Sequence, residues 1–253
     1  MVISNSAFTL FFPENKNIRE NFFKMEEHFQ DFQHPFTLVT LPMEAPPEIP
    51  RILAATKNGH SQLTISCNRV QLLTHYDGEY PKNLSKCLNY TTNKVLQIID
   101  AMPLIDGMPE DNQKYYYSGL SMDMIYDETD GIDNPVEYIN NIHVKDSISL
   151  PIDELQCRFA LVVENQYYVN IILQNRKTFE GIPDERGSLA GLREGKEALV
   201  VSLDINDRYA FNNVKNYVSG KENIIRLASI MEKFANKYLP NYLKSGEINY
   251  VAE

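Results

Sequence analysis

The chain has 253 residues, 43% of them hydrophobic and 23% charged, a balance that supports one large packed domain or two small ones and excludes a disordered chain. The formal net charge is −10 and the nearest approach to a basic run is Arg176 with Lys177, which argues against direct binding of nucleic acid or an anionic membrane, since both need cations gathered on one face. The opening MVISNSAFTLFF has no basic n-region, no stretch approaches the roughly 18 apolar residues of a membrane span, and Cys67, Cys87 and Cys157 are too few and too widely spaced for a disulfide framework, so the expectation is a cytoplasmic protein without leader, span or disulfides.

In chain order, residues 7–12 read as a strand and residues 16–32 as a helix, with Phe22, Met25, Phe29 and Phe32 on one stripe. Residues 36–41 read as a second strand. Pro42, Pro46, Pro47 and Pro50 keep the next segment extended and out of a central ladder. Residues 52–56, 61–67 and 70–75 alternate apolar with polar side chains around turns at Lys57–His60 and Asn68–Arg69, which makes a β-meander with one buried face. Residues 82–102 form an amphipathic helix carrying Leu84, Cys87, Leu88, Thr91, Val95, Ile98, Ile99 and Met102, ended by Pro103. Residues 103–114 read as a linker.

The second part opens on a long strand, 115–126. Asn134-Pro135-x-Glu137 starts a short helix over 135–142, with Asn as cap and Pro in the first turn. Residues 159–164 and 167–174 make a hairpin around Asn165–Gln166, residues 175–197 a polar loop, and residues 198–205 a strand. Ser219-x-x-Glu222 reads as a capping box for a last helix over 221–239, stopped by Pro240. The expected fold class is therefore α+β. It has two similar halves, 1–105 and 106–253, each a mostly antiparallel hairpin or meander followed by a long amphipathic helix. A helix on one face of such a sheet leaves the other face open.

Catalytic motifs are missing: there is no G-x-S-x-G, H-E-x-x-H or C-x-x-C. His60 and His75 are expected at one end of the meander hairpin, near Asp77 and Glu79, but their spacing matches no metal motif and they read as turn histidines. The acidic stretch 123–133 fails as a calcium loop because Tyr126 stands where the first ligand belongs. Gly191 to Lys196 fails as a phosphate loop because it precedes a strand, whereas phosphates are held at a helix N-terminus. No catalytic residue, metal ligand or cofactor is assigned.

Binding residues are another matter. Tyr115, Tyr116, Tyr117, Tyr126, Tyr167 and Tyr168 are the most unusual concentration in the chain, and tyrosine is favoured in binding surfaces. Arg176, Arg186 and Arg193 lie in the long loop with Glu180, Asp184 and Glu185, close in sequence to Asp204 and Asp207, as an ion-pair network or the polar part of a site.

The segment Val136-Glu137-Tyr138-Ile139-Asn140-Asn141-Ile142 resembles the R-Y-I-N-R-I phrase of a sporadically distributed bacterial family of uncharacterised proteins of about this length. Ser202-Leu203-Asp204-Ile205 and the final helix with Phe234 are similar to that family's late strand and last helix. Glu137 and Asn141 stand where the family has basic residues. The resemblance implies no particular activity. Its patchy distribution implies an accessory role of the defence, counter-defence or antitoxin-like kind.

These observations favour a non-catalytic protein that binds another protein, or a second copy of itself, through a Tyr-rich sheet face. The alternative is a small-ligand binder or hydrolase with a cleft between the halves, drawing on His60, His75, Asp204 and the loop 176–193. A third reading is an acidic mimic of nucleic acid that occupies a basic partner.

Overall fold

The computed structural model describes the chain except residues 21, 43, 106–107, 109–114, 144–150, 184–188 and 251–253. The strands are β1 (Val2–Phe11), β2 (Thr37–Leu38), β3 (Ile52–Ala55), β4 (Ser61–Ile65), β5 (Arg69–His75), β6 (Tyr117–Tyr126), β7 (Gln156–Val163), β8 (Tyr167–Pro183) and β9 (Leu189–Asn206). They form one antiparallel sheet in the order β2-β3-β4-β5-β1-β6-β9-β8-β7. The helices are α1 (Phe22–Glu26), α2 (Leu84–Ala101), α3 (Pro135–His143), α4 (Arg208–Asn213), α5 (Lys221–Lys233) and α6 (Leu239–Ser245). The fold is thus mixed α+β. None of these helices is long and apolar enough to cross a membrane.

Period-two alternation decides which face is buried. Phe8 and Leu10 of β1, Leu120, Met122 and Met124 of β6, and Leu199, Val201, Leu203 and Ile205 of β9 are all buried. So are Val70 and Leu72 of β5 and Val169, Ile171 and Leu173 of β8. Against them lie the apolar stripes of α2 (Leu84, Cys87, Leu88, Val95, Ile98, Ile99) and α5 (Ile224, Leu227, Ile230, Met231). Each such side chain contributes about 1.5–3 kcal/mol on burial. Inside this core Thr91 of α2 meets the Tyr76 hydroxyl at 2.6 Å and the Ser6 hydroxyl at 2.9 Å, so the polar atoms of helix and sheet satisfy one another.

Three local expectations need correction. The helix expected over 16–32 shrinks to the five residues of α1. Phe29, Phe32 and Phe36 are buried all the same, with ring centroids 5.1–6.2 Å apart, because Phe32 leaves the helical path to bridge Thr56 of the sheet. The strand over 36–41 is only Thr37–Leu38. The loop over 175–197 is instead a continuation of β8 and β9, paired from Asn175↔Leu199 to Pro183↔Leu189 with two register shifts. This ribbon carries polar side chains along much of its length, so the alternation that marks a half-buried strand is weak there.

The last helix also differs. Gly220 caps α5, its N–H donating to Asn223 Oδ1 at 3.2 Å, while the Ser219 hydroxyl turns away to donate to Asp207 at 2.5 Å. Pro240 does not stop the helix: a π-turn over Phe234–Tyr238 leads into α6, which has the proline in its first turn, where its missing N–H costs nothing.

Candidate functional site

α2, α3, α5 and α6 pack on one side of the sheet, and the alternate positions of every strand point to the other. The register places these side chains in rows across the sheet. One row runs Ala55, Gln62, Leu73, Ala7, Ser121, Asp204, Asn170, Ala160. The next runs Leu53, Thr64, Gln71, Thr9, Gly119, Asn206, Tyr168, Val162. A third runs His75, Asn5, Asp123, Ser202, Ile172, Arg158, and Arg69, Phe11 and Tyr117 close one end.

Small side chains at the middle hollow this face. Gly119 has no Cβ, and one placed there would stand 3.2 Å from the Asn206 Cβ. With Ala7, Thr9 and Ser121 it floors a cleft of about 230 Å³, walled by Phe11, Tyr117, Asp204, Asn206 and Arg208. Phe11 stacks on Tyr117 at 4.3 Å, and Phe211 of α4 lies 5.3 Å from Tyr117 and 5.4 Å from Tyr116. The Arg208 guanidinium stands 5.8 Å from the Tyr117 centroid at the rim.

Two carboxylates sit in this face. Asp123 accepts from Ser202 Oγ at 2.6 Å and from Asn5 Nδ2 at 3.2 Å. Asp204 accepts from Asn170 Nδ2 at 2.9 Å and Asn206 Nδ2 at 3.2 Å. Burial pushes the Asp204 carboxyl above its ordinary range, and the two amides and the Arg158 charge oppose that only in part. Asn206 Oδ1 is buried without a hydrogen-bond partner. The cleft therefore offers a desolvated carboxylate and an unmatched carbonyl oxygen, a pair of acceptors waiting for a donor.

The tyrosines do not all lie on one surface. Tyr117 and Tyr168 lie on the open face, with Tyr168 edge-on to Tyr209 at 5.3 Å, and Tyr116 is 43% exposed beside Phe211. Tyr115, Tyr126 and Tyr167 are buried in the core on the helix side. Tyr115 lies beyond the β1–β6 ladder, which ends at Phe11↔Tyr117, and bridges Ser219 instead. Arg176 and Arg193 are exposed on the β8–β9 ribbon; Arg186 lies outside the described residues, as do Asp184 and Glu185. Asp204 and Asp207 are bound elsewhere than in an arginine network. Asp207 is fully buried and accepts from the Ser118 N–H, the Ser219 hydroxyl and the Tyr217 hydroxyl.

His60 and His75 do come to one hairpin end, the His75 N–H donating to the His60 carbonyl at 2.8 Å. Their side chains part: His75 is on the open face, whereas His60 lines a separate cavity with Asp77 and Glu79. Among the described residues no group of three or more His, Cys, Asp and Glu could hold a metal ion. Sequence reasoning passed over Asn5, Asp123, Asn170, Ser202 and Gly119 as parts of a site. The signal for them was a polar or missing side chain at alternate positions of strongly apolar strands.

Compared with family models, with curated proteins and with solved structures, the chain matches none of them.

Proposed function

We propose that the protein is a non-catalytic binding protein whose open sheet face docks onto another protein or a second copy of itself. The observation that carries this is the cleft in the middle of the face, where Phe11 and Tyr117 wall a desolvated Asp204 carboxylate and an Asn206 oxygen without a hydrogen-bond partner. Aromatic walls around a few buried polar groups are what the core of an interface presents. Asp204 and the unmatched Asn206 oxygen suit a donor-rich cationic side chain of the partner, an arginine above all, and Phe11 and Tyr117 supply apolar walls for its stem. In its accessory form this is a masking role, as an antitoxin-like protein has toward its target.

We infer further that the chain is built of two similar units, 1–105 and 106–253. In support, the eight longer strands read β3-β4-β5-β1 and then β6-β9-β8-β7, so each unit has its first strand innermost and its next three running inward from an edge. A helix follows the meander each time, and α2 lies beside α5, with Ser85 Oγ donating to Glu232 at 3.2 Å.

The test compares wild type with Tyr117→Lys/Val162→Lys, and with Ile225→Lys on the helix side as control. Self-association is followed by sedimentation and complexes by native mass spectrometry. The double variant should keep the wild-type circular dichroism and lose the association, and the control should keep both. An association that survives the double variant unchanged rules out the sheet face as the docking surface.

A further inference from the structure

A second cavity, of about 660 Å³, opens where the end of the β4–β5 hairpin meets α2, lined by His60, Asp77, Gly78, Glu79, Tyr80 and Tyr90 with Lys86, Asn89 and Asn93. It shares no lining residue with the mid-sheet cleft. Three of its walls are aromatic rings. His60 and Tyr80 lie 5.5 Å apart at 58°, Tyr80 and Tyr90 5.7 Å apart at 72°, and His60 and Tyr90 6.1 Å apart at 85°. Planes crossed at these angles form a corner.

The corner is built before any ligand arrives. The His60 backbone N–H donates to Asn58 Oδ1 at 3.1 Å, and the Tyr90 hydroxyl is met by Ser61 Oγ at 3.3 Å and Asn58 Nδ2 at 3.5 Å. Tyr80 rests on Tyr76 at 6.1 Å and 19°, and the Tyr76 hydroxyl is fixed in the core by Ser6 and Thr91. Gly78, at φ 59°, turns the chain so that Asp77 and Glu79 flank the opening. Their side chains are 82% and 91% exposed. Asp77 Oδ1 is 3.5 Å from His60 Nδ1, and Lys86 Nζ is 3.4 Å from Glu79. Two carboxylates thus face one lysine and one histidine at the rim. Lys94, 5.8 Å from the Tyr90 centroid and paired with Asp31, does not line the cavity.

We propose that this corner binds a methylated ammonium group, as in a quaternary amine or a methylated lysine side chain. A flat ring could lie face to face with only one of these crossed walls at a time. A compact cation at the corner presents a methyl to each ring face within the roughly 6 Å at which the ring quadrupole attracts it. A bare ammonium keeps its water, because rings are poor acceptors for its three strong donors, whereas a methylated one sheds water readily and gains apolar contact. Asp77 supplies long-range attraction from the rim.

The test is a heteronuclear NMR titration of the full chain with choline, with tetramethylammonium and with 3,3-dimethyl-1-butanol, the uncharged carbon analogue of choline. Choline and tetramethylammonium should bind saturably, with Kd on the order of millimolar, shifting resonances of 58–61, 77–80 and 86–93. The neutral analogue should bind at least about tenfold more weakly. Tyr80→Phe should retain binding, Tyr80→Ala should abolish it, and Asp77→Asn should weaken it several-fold. Equal binding of the neutral analogue, no saturable shift with the wild type, or undiminished binding by folded Tyr80→Ala each overturns the proposal.

Discussion

Asp204 and Asp207 stand three positions apart at the end of β9, and each is a carboxylate that the sheet has taken largely out of water. Burial raises both above the ordinary carboxyl range, against hydrogen bonds from Asn206 and Asn170 to the first and from Ser219, Ser118 and Tyr217 to the second. A raised pKa in the folded state means stability that is full below the unfolded-state value and is lost as pH rises through the folded one. For Asp207 the three donors tie β6, β9 and the start of α5 together, so the cost is structural. Asp204 joins only neighbouring strands and faces the cleft. Asp204→Asn should therefore stabilise the protein at pH 7–8, by roughly 1 kcal/mol or about 2–4 °C in Tm. The gain should vanish below the carboxylate range, where the wild-type group is neutral as well. Thermal unfolding of both proteins across pH 3–8 checks this; a variant less stable than wild type at pH 8 shows that the carboxylate holds the fold and is not kept at a cost for a partner.

The β7–β8 hairpin shows how a few residues fix an element. Val163 pairs with Tyr167, and Glu164 and Asn165 take φ of 54° and 51° to make the turn. Asparagine tolerates that region, while a branched side chain is strained there by about 1–2 kcal/mol. Asn165→Val should lower stability by that amount and Asn165→Gly should leave it nearly unchanged, measured by chemical denaturation; equal effects would place the turn elsewhere. Glu164 does more than turn. Burial alone would raise its carboxyl, but Arg226, which donates from Nε and Nη2, and the Tyr250 hydroxyl at 2.9 Å hold it below its ordinary value, tying the hairpin to α5 and to Tyr250. This hairpin and α2 were legible because their signals are local: an Asn at the turn, and apolar residues spaced by three and four. The β8–β9 ribbon was not, since it lacks the clean apolar alternation by which a strand is recognised. The aromatic run from Phe22 to Phe32 looked helical because burial from an irregular chain leaves the same spacing as burial from a helix.

At the scale of the whole molecule, β1 and β6 are hydrogen-bonded along their length at the middle of the sheet, from Val2↔Ile125 to Phe11↔Tyr117. Separating 1–105 from 106–253 would open that ladder and bare the flanks of α2 and α5 together. The sheet should therefore unfold as one. Calorimetry should give a single transition whose van't Hoff and calorimetric enthalpies agree; two resolved transitions would mean that the central ladder couples its two sides only weakly.

Taken alone, the sequence determined the class of fold, the main helices and most strands, and the lack of known catalytic motifs, because each of these depends on neighbours within a few positions. It also picked out the tyrosines, but not which of them face outward. Burial depends on which strand lies beside which, and that order was decided by tertiary packing. Packing sent Tyr115, Tyr126 and Tyr167 into the core and left Tyr117 and Tyr168 on the open face. It set Asp204 beside Asn170 and near Gly119, and brought His60, Tyr80 and Tyr90 to one corner from three elements. A polar residue in an apolar strand marks a position, but nothing linear says which positions meet, since hydrogen-bonded register places side by side residues that lie a hundred positions apart.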